Sequence, residues 1–287
     1  MKRFARHLLI LAAPLVAAAC SPAVLINPFL PTDGYVPHTG LAYGTADRQV
    51  LDLYTPQGAP EARSEPAPVI VYFYGGSWKS GSRQTYKFIA EALAPRGYVV
   101  VVPDYRLYPE VRFPAFVEDA ARAVRWVRNN ARRFGGDPDR IILMGHSAGA
   151  HIAALLAFDE RYLAEAGVPA AAIRGLVGLA GPYAFDPLAY SSTRPIFAGV
   201  TDIDTARPVT FADGEGVPAL LLHGAADTTV LPWNTHQLAA RIREADGPAT
   251  VRVYPGTGHI GIILSYAVLF RGRDPVYEDT LRFLDGL

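Results

Sequence analysis

Gly145-His146-Ser147-Ala148-Gly149 lies between a short apolar run, residues 140–144, and an Ala- and Leu-rich stretch, residues 150–158. The first has the length and composition of a buried strand, the second those of a helix. Gly-x-Ser-x-Gly between a strand and a helix predicts a nucleophile elbow, a turn sharp enough to lift a serine hydroxyl off the sheet. Glycines on both sides fit a strained serine backbone packed closely between strand and helix.

Other segments extend the same alternation. Residues 69–74, 98–102, 176–179, 219–222 and 250–254 are apolar runs of strand length, and 41–44 with 49–54 read as an N-terminal hairpin. Residues 86–94, 115–134, 233–244 and 275–285 read as helices; in 115–134 the apolar positions Phe116, Ala120, Val124 and Val127 recur at helical spacing. Strands alternating with helices predict an α/β fold, a mainly parallel sheet with helices on both faces. Residues 39–287 are expected to form one catalytic domain, and 184–216, which lacks a period, a small cap or long loop over the site.

Composition narrows the function classes. Half of the 287 residues are hydrophobic and 19% are charged, which excludes a disordered chain. Zero net charge argues against nucleic acid as a partner. The first 19 residues read as an export signal: Lys2, Arg3 and Arg6, then an apolar stretch over 8–19 too short to span a bilayer. Ala17-Ala18-Ala19-Cys20 resembles a bacterial lipobox, in which Cys20 is lipidated and begins the mature chain. Cys20 is the only cysteine, so an exported chain has no disulfide use for it. Ser21 does not resemble the aspartate retention signal, which points to the outer membrane, facing the periplasm or the cell surface. Membrane attachment is then through the lipid anchor alone, and residues 20–38 read as a tether. The other reading is a general signal-peptidase site with a chance cysteine and a soluble periplasmic or secreted product.

A serine hydroxyl needs a base, an acid to orient that base, and donors for an oxyanion. In open α/β sheets such groups gather at the carboxyl ends of strands. His259 closes Pro255-Gly256-Thr257-Gly258-His259, just past the strand at 250–254, and is the expected base; His236 falls inside a polar helix. Asp227 follows the strand at 219–222 and is the expected acid, ahead of Asp202 and Asp204 in the unpatterned segment. Upstream oxyanion donors are expected among Gly75, Gly76 and Ser77, in the loop after the strand at 69–74, with Ala148 after the nucleophile. His151 reads as a packed helix position. His223 with Asp227 has no third ligand at sensible spacing, so no metal and no cofactor are expected. Tyr105 and Arg106 read as braces of a strand end; Trp78, Tyr183 and Trp233 are candidate pocket walls.

Tyr74-Gly75-Gly76-Ser77-Trp78, Pro103-Asp104-Tyr105-Arg106-Leu107, the elbow, Asp227 and His259 together resemble the esterase/lipase branch of the α/β-hydrolase superfamily, near the hormone-sensitive-lipase-like carboxylesterases. The order Ser147, Asp227, His259 is that superfamily's order. The usual His-Gly-Gly-Gly is here Tyr-Gly-Gly-Ser, His146 stands where that branch often has Asp, and a long N-terminal helical cap is missing. Those differences bring the chain closer to small-cap relatives such as kynurenine-formamidase-like and feruloyl-esterase-like enzymes. The resemblance implies a serine hydrolase acting on small carboxylic esters. An arylformamidase or peptidase with the same triad, and a non-catalytic surface lipoprotein on a hydrolase fold, are the alternatives.

Overall fold

The computed structural model describes residues 26–58, 65–213 and 216–287. The expected signal segment, Cys20 and the start of the tether lie outside the described residues. Eight strands form one sheet: β1 (Tyr35–Ala42), β2 (Val50–Pro56), β3 (Ala67–Phe73), β4 (Val99–Pro103), β5 (Gly136–His146), β6 (Ile173–Leu179), β7 (Ala219–Gly224) and β8 (Ala249–Tyr254). Their order is β1-β2-β4-β3-β5-β6-β7-β8. The β1–β2 and β2–β4 pairs are antiparallel, and every later pair is parallel.

The central strands are buried along most of their length, β4 throughout. Val69, Val71 and Phe73 in β3, Val99 to Val102 in β4 and Leu143 in β5 are inaccessible to solvent. β-branched side chains fit a pleated surface covered on both faces, which is why these runs are continuous rather than alternating. Helices cover the sheet: α1 (Lys87–Leu93), α2 (Ala115–Asn130), α3 (Ala148–Phe158), α4 (Glu160–Glu165), α5 (Trp233–Glu244), α6 (His259–Leu264) and α7 (Val276–Leu284). Gly135, at φ 71°, closes the 3-10 turn that ends the α2 segment.

Two expectations shift. The first strand begins at Tyr35, not at 41, and pairs Tyr35 with Pro56. Pro37 is compatible with it because β1 is the sheet's edge strand, which can spare a donor. The tether is therefore shorter than residues 20–38, and part of it is docked: Ile26 and Leu30 are buried in the core. The expected cap segment contains only turns and two 3-10 helices, Ile203–Ala206 and Pro208–Phe211, among its described residues.

Register sets the site. Phe73 pairs with Gly145, His146 with Leu179, Leu179 with Leu222, and Gly224 with Tyr254. The carboxyl ends of β3, β5, β6, β7 and β8 therefore lie along one edge, and the loops leaving them converge there.

Candidate active site

At that edge β5 turns into α3 at Ser147, whose φ of 54° and ψ of −121° lie outside the regions most residues occupy. The strain is held by packing. Ser147 N–H donates to Leu179 O at 2.9 Å, and Ser147 O accepts the first α3 ladder bond from His151 N–H at 3.1 Å. A side chain at Gly149 would strike the backbone oxygen of Phe73 and come within 2.5 Å of that of Tyr74, so α3 can pack against β3 only with glycine there.

His259 follows β8 and is the first residue of α6. The short helix starts on the residue itself. Its Nδ1–H donates to Asp227 Oδ2 at 2.7 Å, which leaves the Nε2 lone pair facing Ser147 Oγ at 3.0 Å. The Asp227 and His259 loops are joined directly, Ala226 N–H donating to Thr257 O at 3.0 Å. Asp227 Oδ1 accepts from the N–H groups of Thr229 and Val230 at 2.8 and 2.9 Å. Burial of Asp227 opposes its ionisation, yet hydrogen bonds from His223, His259 and the Val230 N–H outweigh it and hold the carboxyl below the usual range. Asp227 is thus an anion that can orient an imidazole and stabilise its protonated form.

The upstream loop is a tight turn in which Gly76 has φ 126°, Ser77 φ 53° and Trp78 φ 57°. Gly76 O accepts from Lys79 and Ser80 N–H. Ser77 and Ala148 both line the cavity that contains Ser147, and Ala148 is the first residue of α3, where N–H groups are free of the helix ladder. Gly75 lies behind them, against His146. A buried network fixes this loop. Tyr74 is stacked between Tyr86 and Tyr105, its hydroxyl donates to Asp104 Oδ1 at 2.7 Å, and Arg48 donates to that hydroxyl at 2.8 Å. Tyr105 Oη–H donates to Tyr74 O at 2.8 Å, and Arg106 forks onto Asp119 with two contacts of 2.8 Å, so both act as braces.

The cavity holds about 300 Å³ and is walled by Trp78, Phe185, Tyr190, Leu231 and Trp233 among others. Tyr190, Leu231 and Trp233 are exposed at its mouth. Phe185, Tyr190, Ser192 and Thr193, which line this cavity, come from segment 184–216. Tyr183 is fully buried and does not line the cavity. A larger cavity of about 650 Å³, between Leu156 and Val217, is lined by none of the candidate catalytic residues.

The remaining histidines sort themselves. His236 is exposed on α5. His151 is buried and bonds Ala206 O at 2.8 Å, tying α3 to the cap segment. His223 is not idle: its Nδ1 contacts Thr235 Oγ1 at 2.7 Å, and its Nε2 lies 2.8 Å from Val230 O and 3.2 Å from Asp227 Oδ2. The spacing His223 to Asp227 was visible in sequence but was weighed only as a metal pair. Asp274 was missed altogether. It accepts from Thr257 at 2.8 Å and Ser265 at 2.7 Å, bracketing His259 from both sides. Among the described residues no three His, Cys, Asp or Glu side chains converge to hold a metal ion.

Residues 51–242, about two thirds of the chain, match the model of the family described as BD-FAE. The chain belongs to the BD-FAE family. This BD-FAE chain is 30% identical over 259 residues to the probable isoprenylcysteine alpha-carbonyl methylesterase ICME of Oryza sativa subsp. japonica, covering 83% of this chain and 61% of that protein. It is 28% identical over 246 residues to Esterase LipC of Mycobacterium tuberculosis, covering 78% and 60%. The chain thus spans about three fifths of the length of these two curated relatives. Among solved structures it resembles a hyperthermophilic esterase from the archaeon Pyrobaculum calidifontis, with a TM-score of 0.75, 26% identity, and coverage of 92% of this chain and 89% of the other. The α/β-hydrolase fold implied by the resemblance is the fold of this neighbour.

Proposed function

We propose that this chain is a serine hydrolase that cleaves carboxylic esters through an acyl-Ser147 intermediate. One observation carries the reading: a single imidazole, His259, bridges Ser147 Oγ at 3.0 Å and Asp227 Oδ2 at 2.7 Å. Ser147 Oγ attacks the ester carbonyl carbon as its proton passes to His259 Nε2. The carbonyl oxygen becomes an oxyanion, held by the N–H of Ala148 and those of Gly76 and Ser77. Collapse expels the alkoxide, which takes the proton from His259 and leaves as the alcohol. Water then attacks the acyl carbon, gives a proton to His259, and the second collapse releases the carboxylic acid and restores Ser147. Relatives named as esterases support the same chemistry.

The 300 Å³ cavity is small for a ligand site and supports short- or medium-chain acyl groups or small acylated substrates. Turnover of p-nitrophenyl acetate and butyrate by residues 26–287 tests the reading. Ser147→Ala should abolish it, and equal rates in the two proteins would contradict the proposal.

The export reading belongs with it. Cys20, the only cysteine, is lipidated and anchors the domain at the outer membrane; the basic and apolar residues before it support this. Mass spectrometry of the mature N-terminus tests it, and an unmodified end other than Cys20 would reject it.

A further inference from the structure

His146 precedes the nucleophile and takes no part in the proton chain above. It is 2% exposed, and its Nε2 lies 2.9 Å from the backbone oxygen of His259, 113 residues away in sequence. A carbonyl oxygen only accepts, so Nε2 carries the ring proton and donates. Nδ1 is then an acceptor, buried and without a partner among the described residues. The ring fills the space that glycine leaves at position 75: a Cβ there would stand 3.0 Å from His146 Nδ1 and 3.0 Å from Ser147 Cβ. Its centroid is 4.8 Å from that of the His259 ring. His146 therefore touches the oxyanion loop, belongs to the elbow, and holds the main chain of the base.

We propose that His146 is a positioning residue: by donating Nε2–H to the His259 carbonyl it sets the His259 imidazole at bonding distance from Ser147 Oγ. The base needs such a hold. His259 opens a helix of only six residues, and its N-cap, Gly258, offers no side-chain bond. Glycine leaves a chain with more conformational freedom than any other residue, and small displacements of a catalytic group cost rate steeply. The donor is also permanent. Burial, reinforced by the neighbouring His259, pushes the His146 ring down to about 3, so it stays neutral wherever a histidine base works. A charged ring, its centroid 4.8 Å away, would repel the His259 imidazolium and weaken His259 as a base.

The inference rests on the ester-hydrolase reading of Ser147 and His259, and its tests separate the two. The first compares His146→Leu and His146→Gln, with melting temperatures alongside kcat and KM on p-nitrophenyl acetate. His146→Leu should lower kcat by about 10- to 100-fold with KM within about twofold, the pattern of an interaction felt mainly in the transition state. His146→Gln, whose amide N–H can meet the same carbonyl, should recover at least half of that loss on a logarithmic scale. Wild-type kcat in the Leu variant, or equal losses in the Leu and Gln variants, would overturn the proposal. The second needs no variant: nitrogen-15 NMR of histidines in the wild-type protein should show His146 as the Nε2–H tautomer, unchanged from pH 5 to 9. An Nδ1–H tautomer, or titration in that range, would overturn it. Failure of the wild type to turn over esters would strike the ester-hydrolase reading, while the tautomer still reports on His146.

Discussion

The His223 imidazole and the Asp227 carboxylate, four residues apart in sequence, meet at 3.2 Å on the same oxygen that accepts the His259 Nδ1–H hydrogen bond. Both side chains are fully buried. Asp227 is therefore held by two histidines and two backbone amides, not merely paired with its base. An acid fixed in this way keeps the His259 ring in one tautomer and one orientation.

Replacing that acid by its amide removes the tautomer control while leaving the shape. Asp227→Asn is expected to reduce kcat by about 10⁴-fold, the loss typical of a triad acid turned into an amide, with little change in KM. Steady-state kinetics on p-nitrophenyl butyrate checks this, and a loss below tenfold would remove Asp227 from the role of acid.

His223 contributes through the turn it closes. His223→Phe leaves Thr235 Oγ1 and Val230 O without their ring partners. An unsatisfied buried group such as Thr235 Oγ1 costs about 1–3 kcal/mol. Urea denaturation should show a loss of that order or more, together with a fall in kcat. An unchanged midpoint would mean that the buried contacts are replaced by water.

The buried histidines predict a pH dependence of stability. Burial lowers His146 to about 3 and His151 to about 4, from an ordinary value of 6.5. In that window the unfolded chain binds these protons and the folded chain does not. Stability is therefore full above about pH 6.5 and falls as pH drops toward 4. Each such histidine contributes about 1.4 kcal/mol per pH unit, one proton's worth. Chemical denaturation at pH 7.5 and 4.5 should show the loss, and His151→Gln should flatten the slope by about one proton. A parallel slope in that variant would contradict the account of His151.

The Gly75–Trp78 turn, the proposed oxyanion loop, depends on a hydroxyl that does not line the cavity. Tyr74→Phe deletes the group that joins Arg48 to Asp104 beneath the Gly75–Trp78 turn. Loss of a hydrogen bond to charged partners costs about 1.5–3 kcal/mol, and kcat should drop about tenfold as the turn loosens. Denaturation and kinetics measured together test both parts; normal kcat with lowered stability would limit Tyr74 to the fold.

Much of this is legible in the sequence. Ser147, Asp227 and His259 each sit in a short local pattern just past an apolar strand, and local patterns survive in one-dimensional reading. Tyr105, Arg106 and the helix position of His151 were read correctly for the same reason. What escaped depends on contacts distant in sequence. Nothing near His146 announces that it will meet the His259 carbonyl 113 residues later. Nothing near Asp274 announces that it will bracket the base through Thr257 and Ser265. Pro22, Pro28 and Pro31 suggest a tether, but the strand that follows starts at Tyr35, and the burial of Ile26 and Leu30 is a tertiary fact.

The central claim is that Ser147 forms a covalent acyl intermediate activated by His259. Intact-mass and peptide mass spectrometry after acid quenching of the domain with p-nitrophenyl butyrate tests it directly. The account predicts a butyryl adduct on the Ser147 peptide, absent in Ser147→Ala and sharply reduced in His259→Ala. Ester turnover with no adduct, and undiminished in Ser147→Ala, would contradict it.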